Sequence, residues 1–166
     1  MTGTDLIECT TDAPEQTMAL GARLAKAAEP NDVFGLTGTL GAGKTCMVKG
    51  MARGLGVDDS HRVISPTFVL LRRYEGRLTL YHFDAYRLSN AEEMEEIGCA
   101  ELFEAGGVSV VEWADHVRQC LPPEHFVVEI EVTGRRERQL TVRAVGRGPS
   151  QRMENLRQTL APWSRG

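Results

Sequence analysis

The chain has 166 residues, 42% of them hydrophobic and 25% charged, with a formal net charge of −4. This is the make-up of a soluble globular protein long enough to bury a core, and it predicts a single domain. No apolar run approaches a membrane span, and the opening Met1-Thr2-Gly3-Thr4-Asp5 lacks the basic and apolar regions of a signal peptide, so a cytoplasmic protein with no membrane partner is expected. Cys9, Cys46, Cys99 and Cys120 are scattered without a C-x-x-C pair, which predicts reduced thiols and not a disulfide frame or a zinc site. Charge is uneven. Residues 134–166 hold eight Arg against two Glu, and residues 1–133 hold eleven basic against twenty-one acidic residues. A basic end on an acidic body can mark a contact with nucleic acid or an acidic protein. The plainer reading is a solvated surface whose cation is Arg, with sixteen Arg to three Lys.

In chain order, residues 1–11 read as an entry strand or coil. Asp12, Pro14 and Glu15 signal a helix start, and Thr17, Leu20, Gly21, Leu24 and Ala28 recur at helical spacing. Glu29-Pro30-Asn31-Asp32 turns the chain into a short buried strand, Val33 to Thr37. A helix from Lys44 to Leu55 buries Met47, Val48, Met51, Ala52 and Leu55, and Gly54 and Gly56 end it. Phe68–Tyr74 and Arg77–Asp84 alternate as strands around Glu75-Gly76, which predicts a tight antiparallel hairpin. The second strand then carries Leu78, Leu80 and His82 on one face, with Thr79, Tyr81 and Phe83 on the other. Ser89-Asn90-Ala91-Glu92 is a capping box before an acidic helix that Gly98 ends. Val108–Val111 is a short apolar strand closed by Glu112. Pro122-Pro123 breaks the chain, and Phe126–Val132 and Leu140–Val145 alternate around Thr133-Gly134. Residues 1–148 are expected to form the domain, and residues 149–166 a tail with a short loose helix around Met153–Leu160. The sum is an α/β fold of the P-loop NTPase kind, a mixed sheet with a parallel core and antiparallel hairpins, flanked by helices.

Gly38-Thr39-Leu40-Gly41-Ala42-Gly43-Lys44-Thr45 fits G-x-x-x-x-G-K-[ST] and stands between a strand and a helix, as a phosphate-binding loop must. Its glycines let the backbone bare its N–H groups, and the following helix adds the positive end of its dipole. Gly38, Leu40, Gly41, Ala42, Gly43, Lys44, Thr45 and Cys46 are therefore the candidate nucleotide-binding residues. Lys44 is placed to reach the β- and γ-phosphates of ATP, and Thr45 to hold Mg²⁺ through its hydroxyl. Mg²⁺ also needs a carboxylate, which P-loop NTPases place at the end of a neighbouring apolar strand. Glu112 and Asp84 both meet that description. Glu112 is favoured for the metal because its strand reads as an inner parallel one. Asp84 is then a second metal-shell or water-orienting acid. Thr67, in the Ser-Pro-Thr loop, is either a sensor of the γ-phosphate or a turn residue. The guanine-reading Asn-Lys-x-Asp pattern is missing, and no Arg-rich lid motif marks a small-molecule kinase, the alternative reading.

Four motifs in order carry a resemblance: Gly38 to Thr45, Ser65-Pro66-Thr67-Phe68, His82-Phe83-Asp84-x-Tyr86-Arg87 and Val111-Glu112-Trp113. Over about residues 12–145 the chain resembles the bacterial ATPases of tRNA threonylcarbamoyladenosine biosynthesis, the TsaE family. The resemblance implies ATP binding with Mg²⁺ and weak hydrolysis that partners stimulate. It implies two partner proteins, a transferase and its inactive paralogue, with tRNA met only through the complex. It assigns catalytic roles to Lys44, Thr67, Asp84 and Glu112, with the metal at Thr45, Glu112 and Asp84. Thr39, Cys46 and Ala114 depart from the family's usual Asp, Thr and Pro. The sequence leaves Trp113 and Arg87 without a role, and offers Thr10, Thr11 and Arg138 only as guesses for adenine contacts.

Overall fold

The computed structural model describes residues 6–88 and 91–165. Seven strands form one mixed sheet: β1 (Leu6–Thr11), β2 (Val33–Thr37), β3 (Leu71–Tyr74), β4 (Leu80–Asp84), β5 (Val108–Glu112), β6 (His125–Val132) and β7 (Arg138–Val145), in the order β1-β7-β6-β2-β5-β4-β3. The four central strands, β6, β2, β5 and β4, run parallel. β3 adds to one side antiparallel, and β7 then β1 to the other. The expected mixed sheet with a parallel core is the one observed.

Helices cover both faces, as a parallel core requires. On one face, α1 (Pro14–Lys26) and α2 (Lys44–Gly54) pack Leu20, Leu24, Met47 and Met51 onto Phe34, Leu36 and Val110. On the other, α3 (Glu92–Glu96), α4 (Cys99–Phe103) and a 3-10 segment (Ala114–Cys120) cover Val33, Phe83 and Val111. Pro14 stands at the first turn of α1, where its missing N–H costs nothing.

Two expectations need correction. The strand predicted from Phe68 begins only at Leu71, because residues 67–70 turn, with the Leu70 N–H bonded to the Pro66 carbonyl and Leu70 at φ 68°. The connection to β4 runs through residues 75–79 and not through two residues alone. The second strand keeps its two expected faces, Leu80 in the core beneath α2 and Tyr81 and Phe83 in the opposite one, and every residue of β4 is buried. The reason is topological, since β4 lies between β3 and β5 and has helices over both faces. The predicted capping box at Ser89-Asn90 lies outside the described residues. Gly98, at φ 78°, separates α3 from α4, a helix that the sequence pattern did not announce.

The C-terminal segment folds back on the domain. After α5 (Arg147–Gln151), α6 (Met153–Thr159) buries Met153 and Leu156, with Leu160 behind them, against the α1 face. Arg152 makes a two-pronged ion pair with Asp32 (2.7 and 2.8 Å), donates to the Ala27 carbonyl, and lies over the Phe126 ring. Such fork-to-carboxylate pairs are among the stronger polar contacts. Several of the region's arginines are spent inside the molecule. Arg138 donates to the Ala42 and Gly134 carbonyls, Arg157 to the Leu6 carbonyl, and Arg136 pairs with Glu15.

α1 and α2 approach closely because Gly50 and Gly54 face α1 without side chains. A Cβ at Gly50 would stand 2.0 Å from the Met18 carbonyl oxygen. Ala is worth about 1 kcal/mol over Gly in a helix interior, but the clash with rigid backbone costs more, about 1–3 kcal/mol for overpacking and upward. Gly50→Ala is therefore expected to destabilise the chain by about 2 kcal/mol. A urea unfolding midpoint equal to or above wild type would contradict this.

Candidate functional site

The parallel register brings the site together. Asp84 is the partner of Glu112 across β4 and β5, and Glu112 is the partner of Leu36 across β5 and β2. Two residues past Leu36 the phosphate loop begins. Ligands of open parallel sheets gather at this edge, beyond the strands' carboxyl ends.

The loop has the conformation that its glycines allow. Gly38 (φ 147°) sits where a Cβ would meet the Ile130 carbonyl oxygen at 2.5 Å, and Gly43 (φ 112°) turns the chain into α2 in the left-handed region. One cavity of about 360 Å³ is lined by Leu40, Gly41, Gly43, Lys44, Thr45, Cys46, Thr67, Asp84 and Glu112, together with Ser65, Tyr86 and Trp113. The cavity thus unites nine of the eleven sequence candidates. The other two, Gly38 and Ala42, shape the loop from behind: the Gly38 carbonyl accepts from Lys44 and the Ala42 carbonyl from Arg138. Cys46 lies at the edge of the cavity with its thiol on the Pro14 carbonyl.

Lys44 is buried at 5% exposure, and its Nζ donates to the carbonyls of Gly38 (2.6 Å) and Thr39 (2.9 Å). The same Nζ lies 3.9 Å from the centre of the Trp113 ring. Burial pushes the ammonium below its ordinary pKa, while Glu112, Asp115 and Asp84 pull it back up. Thr45 Oγ1 donates to Glu112 Oε1 at 3.0 Å. Asp84 accepts from the hydroxyls of Thr67 (2.9 Å) and Ser65 through Oδ2, and from the Tyr86 N–H through Oδ1. Thr67 and Asp84 are thus joined, as are Thr45 and Glu112.

Three residues of the site had no role from sequence reasoning. Ser65 shares the Asp84 carboxylate with Thr67. His82 is fully buried and meets Glu112. Trp113 takes left-handed backbone angles (φ 59°, ψ 40°), which cost a bulky residue about 1–3 kcal/mol and gather at functional sites. Its ring touches Lys44, Tyr86 and His116. Single-sequence signals could have found only Ser65, from its place two residues before Thr67. Arg87 lies over the Phe68 ring. Of the adenine guesses, Thr11 is buried and bonded to Thr17, and Arg138 is bound to the back of the phosphate loop.

Comparison with known proteins gives the family. Residues 11–140 match the family model described as threonylcarbamoyl adenosine biosynthesis protein TsaE. This chain belongs to the TsaE family. A Bacillus subtilis (strain 168) relative is 44% identical over 134 residues, covering 80% of this chain and 82% of its own. One from Treponema pallidum (strain Nichols) is 40% identical over 136 residues, covering 82% of this chain and 99% of its own. Both are named tRNA threonylcarbamoyladenosine biosynthesis protein TsaE. The crystal structure of YdiB from Bacillus subtilis superposes with a TM-score of 0.80 at 37% identity, over 92% of this chain and 95% of that one. The TsaE match includes every site residue named above.

The Lys44–Trp113 contact gives this site an optical handle. In a Trp163→Phe background, inorganic tripolyphosphate is expected to shift Trp113 emission, because an anion in the loop draws Lys44 off the ring. Lys44→Met should remove the response. A wild-type emission that stays fixed at saturating tripolyphosphate would show the contact to be permanent.

Proposed function

We propose that this chain binds ATP with Mg²⁺, hydrolyses it slowly by itself, and serves tRNA threonylcarbamoyladenosine biosynthesis. Its output is continued turnover of a partner transferase, which acts with an inactive paralogue. tRNA is met only through that assembly. One observation carries the reading: Thr45, Glu112 and Asp84 meet at the ends of adjacent parallel strands beneath a phosphate loop.

The residues fit the nucleotide and its metal. The open N–H groups of the loop and the N-terminus of α2 suit phosphate oxygens. Lys44 bonds to its own loop's carbonyls and lies on an indole face, and phosphates would give it better partners. Thr45, Glu112 and Asp84 offer hard oxygen atoms of the kind Mg²⁺ prefers, few enough to leave room for its waters. Mg²⁺ would neutralise charge on the β- and γ-phosphates. Thr45 and Glu112 would hold it. Asp84 would orient the attacking water or complete the metal's shell, once it exchanges its bonds with Ser65 and Thr67. Thr67 would then be free to meet the γ-phosphate.

Slow turnover alone follows from what lines the cavity. Among the described residues there, Lys44 is the one cation. Phosphoryl transfer gains about 10³–10⁵ in rate from an additional arginine, so a partner has much to supply. The surroundings favour such a partner. Leu40 (74% exposed) and Tyr86 line the cavity from outside, and Phe68 (84%) and Val69 stand exposed beside Thr67. Apolar side chains gathered round a polar site mark a protein contact better than single ones do.

The test is ATP turnover by the purified chain, with and without the two partners. Slow release of phosphate alone and faster release in the assembly are expected. Rapid phosphate transfer to a small acceptor by the chain alone would overturn the reading in favour of a kinase. Glu112→Ala should weaken nucleotide binding in Mg²⁺ by about tenfold or more and leave binding in EDTA nearly unchanged; equal losses in both would count against its metal role. A second expectation concerns the rim. Phe68→Asp should cut partner stimulation by at least about tenfold while ATP affinity of the free chain stays within about twofold, and undiminished stimulation would remove Phe68 from the contact.

A further inference from the structure

His82 occupies the middle of β4, a strand buried along its whole length. Its side chain is 0% exposed. Nε2 stands 2.5 Å from Glu112 Oε2, while Nδ1 has no hydrogen-bond partner among the described residues. A carboxylate oxygen accepts, so Nε2 carries a proton and donates, and Nδ1 is left unpartnered in the core. An unsatisfied buried acceptor costs stability, whereas an apolar side chain here would leave none. The imidazole therefore sits at a position where packing alone favours another residue.

Strand periodicity explains the contact. Leu80, His82 and Asp84 share one face of β4, and Val108, Val110 and Glu112 share one face of β5. Leu80, Val108 and Val110 belong to the core beneath α2, so His82 and Glu112 point to that side too. His82 pairs with Val110, two residues before Glu112, and reaches Glu112 along the sheet. His82 does not line the phosphate cavity. It touches the site only through Glu112, whose other oxygen, Oε1, accepts from Thr45.

We propose that His82 is a positioning residue: its Nε2–H pins one oxygen of Glu112 so that the other is held beside Thr45, ready for the cation that accompanies a nucleotide. Glu112 is a flexible side chain held by two donors, one on each oxygen. Without His82 the carboxylate loses its fixed orientation. This inference rests on the reading of Glu112 as the metal's carboxylate.

The experiment is a titration of the intact chain with ADP by calorimetry, in Mg²⁺ and in EDTA. His82→Leu keeps bulk and removes the donor; His82→Gln puts an N–H near the place of Nε2. The gain in ADP affinity from Mg²⁺ is expected to fall about tenfold in His82→Leu, with EDTA affinity unchanged, and to return for the most part in His82→Gln. Glu112→Ala separates the two ideas. If Glu112→Ala loses the Mg²⁺ gain and His82→Leu keeps it, the positioning role is overturned and the metal reading stands. If Glu112→Ala keeps the full gain, the metal reading fails and takes the inference with it. Equal losses in Mg²⁺ and EDTA for His82→Leu would mark a structural role only and overturn the proposal. Nitrogen-15 NMR of the wild-type imidazole tests it without any variant: a protonated Nε2 and a bare Nδ1 are expected, and a protonated Nδ1 with a bare Nε2 would overturn it.

Discussion

The register of three parallel strands is the constraint on which the site depends. β2, β5 and β4 are aligned so that Leu36, Glu112 and Asp84 fall side by side. One residue of slip in β5 would turn Glu112 to the opposite face, since side chains alternate with period two. It would also pull the carboxylate away from Thr45 and His82 together. The register is held by burial on both faces, where Val110 faces α2 and Val111 faces the 3-10 segment. Swapping them would place both cores against the wrong partners. Core packing and site geometry are thus one requirement, which is why the site's acids can sit on such short strands.

What the sequence revealed follows from the same distinction between local and non-local causes. The phosphate loop was legible because its chemistry lies in eight consecutive residues, with a strand before and a helix after. Glu112 and Asp84 were legible because each closes an apolar run, and a strand end is visible in one dimension. The interior place of β4 was not. Nothing in its alternation marks it as an inner strand, and its burial comes from pairing with β5, 24 residues or more away along the chain, and from helices over both faces. His82 was passed over for that reason: among Leu80, Tyr81 and Phe83 it reads as one more strand residue, and its partner lies on another strand. Trp113 was recognised as part of a motif but had no role, because left-handed backbone angles leave no mark on a tryptophan's neighbours in sequence. The same blindness applied to the C-terminal arginines. Their count suggested a basic surface, whereas Arg152, Arg138 and Arg157 act as clamps that reach carbonyl and carboxylate groups in the first half of the chain.

Electrostatics explains why the loop takes the form it does. Lys44, Asp84 and Glu112 are all buried, and a buried charge is tolerated only when paired and hydrogen-bonded. Each finds its partners locally. Lys44 uses two loop carbonyls and an indole face; Glu112 uses a hydroxyl and an imidazole; Asp84 uses two hydroxyls and a backbone N–H. These are mostly neutral partners for charged groups, weaker than ionic ones. The arrangement satisfies the charges well enough to keep the fold, and under the proposed function a cation and a phosphate chain would replace part of it.

The exchange also links the loop 65–67 to the state of the site. Ser65 and Thr67 reach Asp84, and Phe68 and Val69 follow directly, exposed. If Asp84 turns towards metal or water, the two hydroxyls lose their acceptor. The segment carrying the exposed apolar pair then loses its side-chain bonds to β4, while Phe68 keeps its contact with Arg87. Beyond Thr67 the chain remains anchored by the Asp84 N–H on the Leu70 carbonyl. The movement is therefore confined to a few residues. Under the proposed function a change at one carboxylate would reach the apolar rim, which is where a protein partner would read it.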